Sequence, residues 1–189
     1  MSDILSIAGE PIFDDRIVKI ETHTYNPYAN THTFENSDEI RIPIQQQDLY
    51  TLPCESFLYI EGKFESKKPD AEGESSTRLV NNCAAFMFKE IRYELDGVEI
   101  DRSRNVAITS TIRNYASLTV ERSSILQDAG WDFAAKSHAI DDFNFCIPLS
   151  VLLGFCEDYK RVVINARHEL ILIRAQRSQL SRIARIART

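Results

Sequence analysis

The sequence predicts an all-β fold: a jelly-roll sandwich or barrel of about eight antiparallel strands carrying one or two short helices. Three observations carry this expectation. Apolar and polar residues alternate in several short runs, and the two clearest runs are joined by Asp96-Gly97. The connections between runs are long and uneven, as a jelly roll needs and a meander does not. Helices do not alternate with strands and no glycine fingerprint occurs, which argues against a doubly wound α/β fold.

The segment FKEIRYELDGVEIDR, Phe88 to Arg102, is the organising hairpin. Ile91, Tyr93 and Leu95 alternate with Arg92 and Glu94, and Val98 and Ile100 then alternate with Glu99 and Asp101. Asp-Gly suits a two-residue type I′ turn, because both central residues need positive φ. Closing that turn pairs Leu95 with Val98 and Tyr93 with Ile100 on an apolar face, and Arg92 with Asp101 and Glu94 with Glu99 on a charged one. The structural hairpin is therefore expected to consist of Tyr93, Leu95, Asp96, Gly97, Val98 and Ile100, with all four apolar side chains buried. The charged face is expected in solvent or against a basic partner.

Residues 1–16 have no period and read as an N-terminal arm. Ile17 to Tyr25 alternates as a first strand, followed by an Asn- and Thr-rich loop from Asn26 to Ser37. Ile40, Ile42 and Ile44 share one face of a short strand that Pro43 restricts to a sheet edge. Phe57 to Phe64 is a half-buried strand, and Glu65 to Thr77 an exposed loop of high mobility. In NVAITSTIRNYASL the apolar residues Ile108, Ile112 and Tyr115 recur at helical spacing, which reads as one short helix although the β-branched residues lower the intrinsic preference. Ser123-Ser124 and Gly130 bracket one further turn. Phe143 to Leu149 alternates as a strand ending at Pro148, and CEDYKR is a loop. Arg161 to Arg174 is one bent strand or two consecutive ones, lying mostly inside. The domain thus spans 17–174, and the arginine-rich residues 175–189 form a basic C-terminal tail.

Composition bounds the function. With 189 residues, 43% apolar, 26% charged and a net charge of −6, the chain is expected to be one soluble, mildly acidic domain rather than a body that grips phosphates. No apolar run reaches membrane-spanning length and the N-terminus lacks signal-peptide character, so cytosolic synthesis without secretion is expected. Cys54, Cys83, Cys146 and Cys156 have no C-x-x-C spacing and read as reduced thiols, and no N-x-S/T sequon occurs.

The hairpin resembles a segment of double jelly-roll major capsid proteins, especially those of virus-like transposons and endogenous viral elements of animals. The residues that carry the likeness are Ile91 to Leu95, Asp96-Gly97, Val98-Glu99-Ile100-Asp101, then Ile147-Pro148-Leu149 and His168-Glu169-Leu170. The resemblance spans Arg16 to Arg174 and corresponds to the N-terminal jelly roll of the family; the second jelly roll has no counterpart here. It implies a structural, capsid-like module that self-associates as a homo-oligomer such as a trimer, or joins other capsid-like subunits, in a virion-like particle. A different class of function, a repurposed barrel that binds a carbohydrate or protein ligand through loops 26–37 and 65–77, is the alternative.

Other motifs are weaker. Arg177, Arg182, Arg185 and Arg188, with Ile183 and Ile186 at helical spacing, are candidate polyanion contacts on the tail, where a solvated terminus is the plainer reading. His23, His32, His138 and His168 form no His-x-His pair of the cupin kind, so no metal or cofactor is expected and His168 reads as a core histidine. Asp14-Asp15, Asp141-Asp142 and Glu157-Asp158 are adjacent in sequence and do not make a glycosidase pair. No nucleophile with a partnered base is recognisable, so catalysis is not expected and no membrane contact is assigned.

Overall fold

Alternation places the core of this protein between two sheets. The computed structural model describes residues 18–28, 38–45, 50–64, 80–131, 142–175, 180–181 and 184–188, and among these nine strands form two antiparallel sheets. One sheet runs in the order β1 (His23–Tyr25), β9 (Ala184–Arg188), β3 (Ser56–Phe64), β6 (Asp142–Pro148), with β8 (Leu180–Ser181) also paired to β3. The other runs β2 (Glu39–Ile44), β7 (His168–Arg174), β4 (Phe88–Leu95), β5 (Val98–Arg104). Ile40, Ile42 and Ile44 of β2, Ile91 and Tyr93 of β4, and Leu170 and Leu172 of β7 meet Leu58, Ile60, Phe143, Phe145 and Ile147 of the facing sheet in one buried cluster. Each such aliphatic side chain stabilises the fold by about 1.5–3 kcal/mol. The all-β sandwich expected from the sequence is what forms.

Pro43 sits where its missing N–H does no harm: β2 is an edge strand, and Pro43 lies opposite Glu169. The neighbouring β7 is central. Leu170 and Leu172 face the core, while Ile171, on the opposite side, is also fully buried. The register sets Ile171 between Arg41 and Arg92, whose aliphatic stems are long enough to cover it.

Four short helices fill one end: α1 (Val106–Ser117), α2 (Val120–Ile125), α3 (Leu149–Leu152) and α4 (Gly154–Asp158). Helix α1 forms where expected. The side it buries carries Val106, Ala107, Ser110 and Asn114, whereas Ile108, Ile112 and Tyr115 are exposed. A polar lock sets this rotation: Asn82 Nδ2 donates to Ser110 Oγ at 2.8 Å and to Thr111 Oγ1 at 2.8 Å, and Ser110 Oγ donates to the Val106 carbonyl at 2.6 Å. Helix α2 begins one turn earlier than the expected serine cap. Thr119 caps it through Arg122 N–H, and Ser123 instead accepts from Trp131 Nε1 at 3.0 Å.

Three further expectations are corrected. The first strand is only His23–Tyr25, and Val18 and Ile20, outside it, are exposed. In the run 161–174, strand begins only at His168; Asn165 at φ 48 turns the backbone left-handed, and Val162 and Ile164 are exposed. The segment CEDYKR is helical through Asp158 rather than a loop. Ala184–Arg188 lies between β1 and β3 and pairs with both. The arm 1–16, loop 65–77 and most of loop 26–37 fall outside the described residues.

Two glycines separate conformation from crowding. Gly97 has φ 78 with no atom near a would-be Cβ, whereas Gly130 has φ 79 and the Phe145 ring would stand 3.1 Å away. Gly97→Ala should cost about 1–2 kcal/mol in denaturant unfolding, the price of left-handed backbone alone, and Gly130→Ala distinctly more; equal losses would contradict this assignment. A second test uses pH. Burial pushes the Cys83 thiol up to about 11 from an ordinary 9.0. Above pH 9 the unfolded chain therefore releases this proton first, and stability falls as pH rises towards 11, by roughly 2 kcal/mol from this group. Cys83→Ala should flatten that part of the pH–stability curve.

Candidate functional site

The organising hairpin forms with the expected turn and an altered register. Asp96 and Gly97 have φ 50 and 78, and Leu95 pairs with Val98 and Glu94 with Glu99. A bulge then intervenes: Tyr93 pairs with Asp101, Arg92 with Arg102, and Ile100 is the extra residue. Tyr93 is buried as expected, but Val98 and Ile100 are 62% and 43% exposed, which corrects the expectation of a fully buried apolar face. Strand β5 is a sheet edge, and the bulge replaces Ile100 on the inner side with Asp101. Asp101 Oδ2 accepts from Phe155 N–H at 2.9 Å at the start of α4, so the shift exchanges apolar burial for a helix cap. Asp96 ties the turn to the chain before β7: its N–H donates to the Arg167 carbonyl and its Oδ1 accepts from Arg167 N–H, both at 2.8 Å.

The outer face of this sheet is a charge lattice. Glu90 lies 3.0 Å from Arg92, 3.7 Å from Arg102 and 3.5 Å from Arg104. Glu39 pairs with Arg41 at 2.5 Å and Arg92 at 3.4 Å, Glu169 with Arg41 at 3.5 Å, and Glu99 with Arg102. Hydrogen bonding from Glu39 and from Glu99 holds the Arg41 and Arg102 guanidiniums above their ordinary pKa. Glu90 explains why Arg92 and Arg102 tolerate direct opposition: one carboxylate touches both. Four arginines stand against five glutamates, because Glu94 lies on this face in register with both Glu99 and Glu169, so the face nearly compensates its own charge.

Beneath it lies a buried polar group. His168, fully buried as expected of a core histidine, has Nδ1 2.6 Å from the Tyr93 hydroxyl and Nε2 2.6 Å from the Thr51 hydroxyl. Thr51 Oγ1 also donates to the Val163 carbonyl at 3.4 Å, which makes it the acceptor from Nε2–H and leaves Nδ1 to accept from Tyr93. Tyr93 stands edge-on to His168 and packs on Phe155, so the histidine joins β4, β7, α4 and the Thr51–Val163 bridge. Thr51 was invisible to sequence reasoning, because nothing local marks it. Its partner lies 117 residues away.

Arg177 and Arg182 lie outside the described residues; Arg185 pairs with Tyr59 and Arg188 with Ser56 and His23, on a strand rather than a helix. Among the described residues, no group of three or more His, Cys, Asp or Glu is placed to hold a metal ion, and no helix is long and apolar enough to cross a membrane.

The family model of the double jelly roll-like domain matches residues 77–184, more than half of the chain. The chain belongs to the double jelly roll-like family. As a member of it, the protein is similar in fold to chains of the PBCV-1 virus capsid in its quasi-atomic model, with TM-score 0.52, 10% identity, and coverage of 88% of this chain and 40% of that one. It is similar also to the structure of PBCV-1 VP54 fitted into a reconstruction of the virophage Sputnik, with TM-score 0.51, 9% identity, and coverage of 94% and 43%. This double jelly roll-like chain therefore spans about two fifths of the length of the structures it matches. No curated protein sequence matches it significantly.

Tyr93→Phe should destabilise the protein by about 1–3 kcal/mol, because it leaves His168 Nδ1 buried without a donor. Combined with Thr51→Val, the loss measured by denaturant unfolding should depart from the sum of the single losses. Glu90→Gln should cost only about 1 kcal/mol, since its pairs are near the surface. It should also remove one of the face's five negative charges, read as earlier elution from an anion-exchange column at neutral pH.

Proposed function

We propose that this protein is a structural, non-catalytic module: a capsid-like jelly roll that self-associates as a homo-oligomer or with like subunits in a virion-like particle. The observation that carries the reading is the match of nearly the whole chain, in fold, to subunits of a virus capsid, within a family defined by the double jelly roll. Physical support comes from the body itself. Two sheets packed on Ile, Leu, Val and Phe make a rigid block, and rigid blocks assemble by repeating the same contacts under symmetry. The nearly self-neutralised face of the four-stranded sheet lets copies approach without strong repulsion there.

Light scattering of the purified chain over a range of concentrations, with electron microscopy of concentrated samples, should reveal rings, trimers or shells. A chain that stays monomeric at every concentration would remove the reading.

A further inference from the structure

Helix α1 buries Val106, Ala107, Ser110 and Asn114 and leaves an apolar side outward. Ile108, Ile112 and Tyr115 are 60%, 65% and 58% exposed and lie at i, i+4 and i+7, so they form one stripe. Val120, 81% exposed, extends it from the start of α2. Together these side chains present on the order of 450 Å² of apolar surface, within the upper range for the largest patch on a monomer, about 300–600 Å². With a polar rim, such a patch approaches the roughly 800 Å² each partner contributes to a standard stable interface.

A groove of about 220 Å³ continues the stripe, lined by Asn114, Tyr115, Val120, Ser123 and Trp131 among others. Trp131 is buried with the Tyr115 ring edge-on at 4.9 Å. Asn114, only 3% exposed, lines the groove, and its Nδ2 has no hydrogen-bond partner among the described residues. A buried amide left unbonded costs free energy unless an acceptor arrives from outside.

We infer that this face is a contact between two copies of the chain, packed α1 against α1 about a twofold axis near Ile112. The inference rests on the proposed self-association and names one surface that performs it. Two features select a second copy. The outward residues of α1 carry no free charge: Arg113, the helix's only charged side chain, is held by the Ser150 carbonyl at 2.6 Å and by Glu157 at 3.1 Å. Copies of net charge −6 repel one another and meet most readily at such a neutral face. The stripe is also self-complementary. Ile112 lies near its centre, so an antiparallel crossing sets Tyr115 of each copy on Ile108 of the other.

Sedimentation velocity of the full chain over a concentration series tests this, with a thermal melt of each variant. Ile112→Glu should weaken association at least 100-fold and leave the melting temperature unchanged. Mixing Ile112→Glu with Ile112→Lys should restore association, because the two side chains meet at the axis. Association undiminished in Ile112→Glu overturns this contact and leaves the proposed function standing, whereas an unaltered chain that never associates overturns both. A lower melting temperature with unchanged mass would assign the stripe to a segment of the same chain and also overturn it.

Discussion

A strand covered on both faces can hold only one register, and β7 is that strand here. Leu170 and Leu172 enter the core while Ile171, buried on the other side, lies in register between Arg41 and Arg92. A slip by one residue would drive Glu169 and Ile173 to the wrong sides along its whole length. Strands β2 and β4 take their registers from it, and β5 takes its own from β4. His168, at its first residue, then draws in Tyr93 and Thr51, so the hydrogen bonds of one buried ring depend on three segments being correctly placed.

The hairpin illustrates how tertiary demand overrides local pattern. Turn type was legible in Asp96-Gly97, because few other pairs accept two left-handed residues in succession. Register beyond the turn was not, since alternation cannot reveal that a carboxylate is needed at the start of α4. Asp101 supplies it only if one residue is inserted, and Ile100 is the residue displaced. The free energy of leaving one isoleucine partly exposed is small at an edge strand that buries little on that side in any case.

Helix α1 shows the same competition with a different outcome. Its period was readable and its existence followed, but the side it buries was decided by Asn82, whose amide needs two hydroxyl partners and finds them at Ser110 and Thr111. The isoleucine stripe was consequently left outward. An exposed apolar stripe of this kind is the surface on which the proposed contact between copies is placed.

Sequence alone determined the two-faced strands, the tight turn, the edge position of β2 and the core role of His168, because each rests on a period or a dihedral preference confined to a few neighbouring residues. The tertiary structure alone decided the bulge, the rotation of α1, the partners of His168 and the placing of Ala184–Arg188 between β1 and β3. Those depend on groups far apart in the chain, such as Thr51 with His168 or Tyr59 with Arg185, and no local pattern encodes which distant hydrogen-bonding group will satisfy a given one.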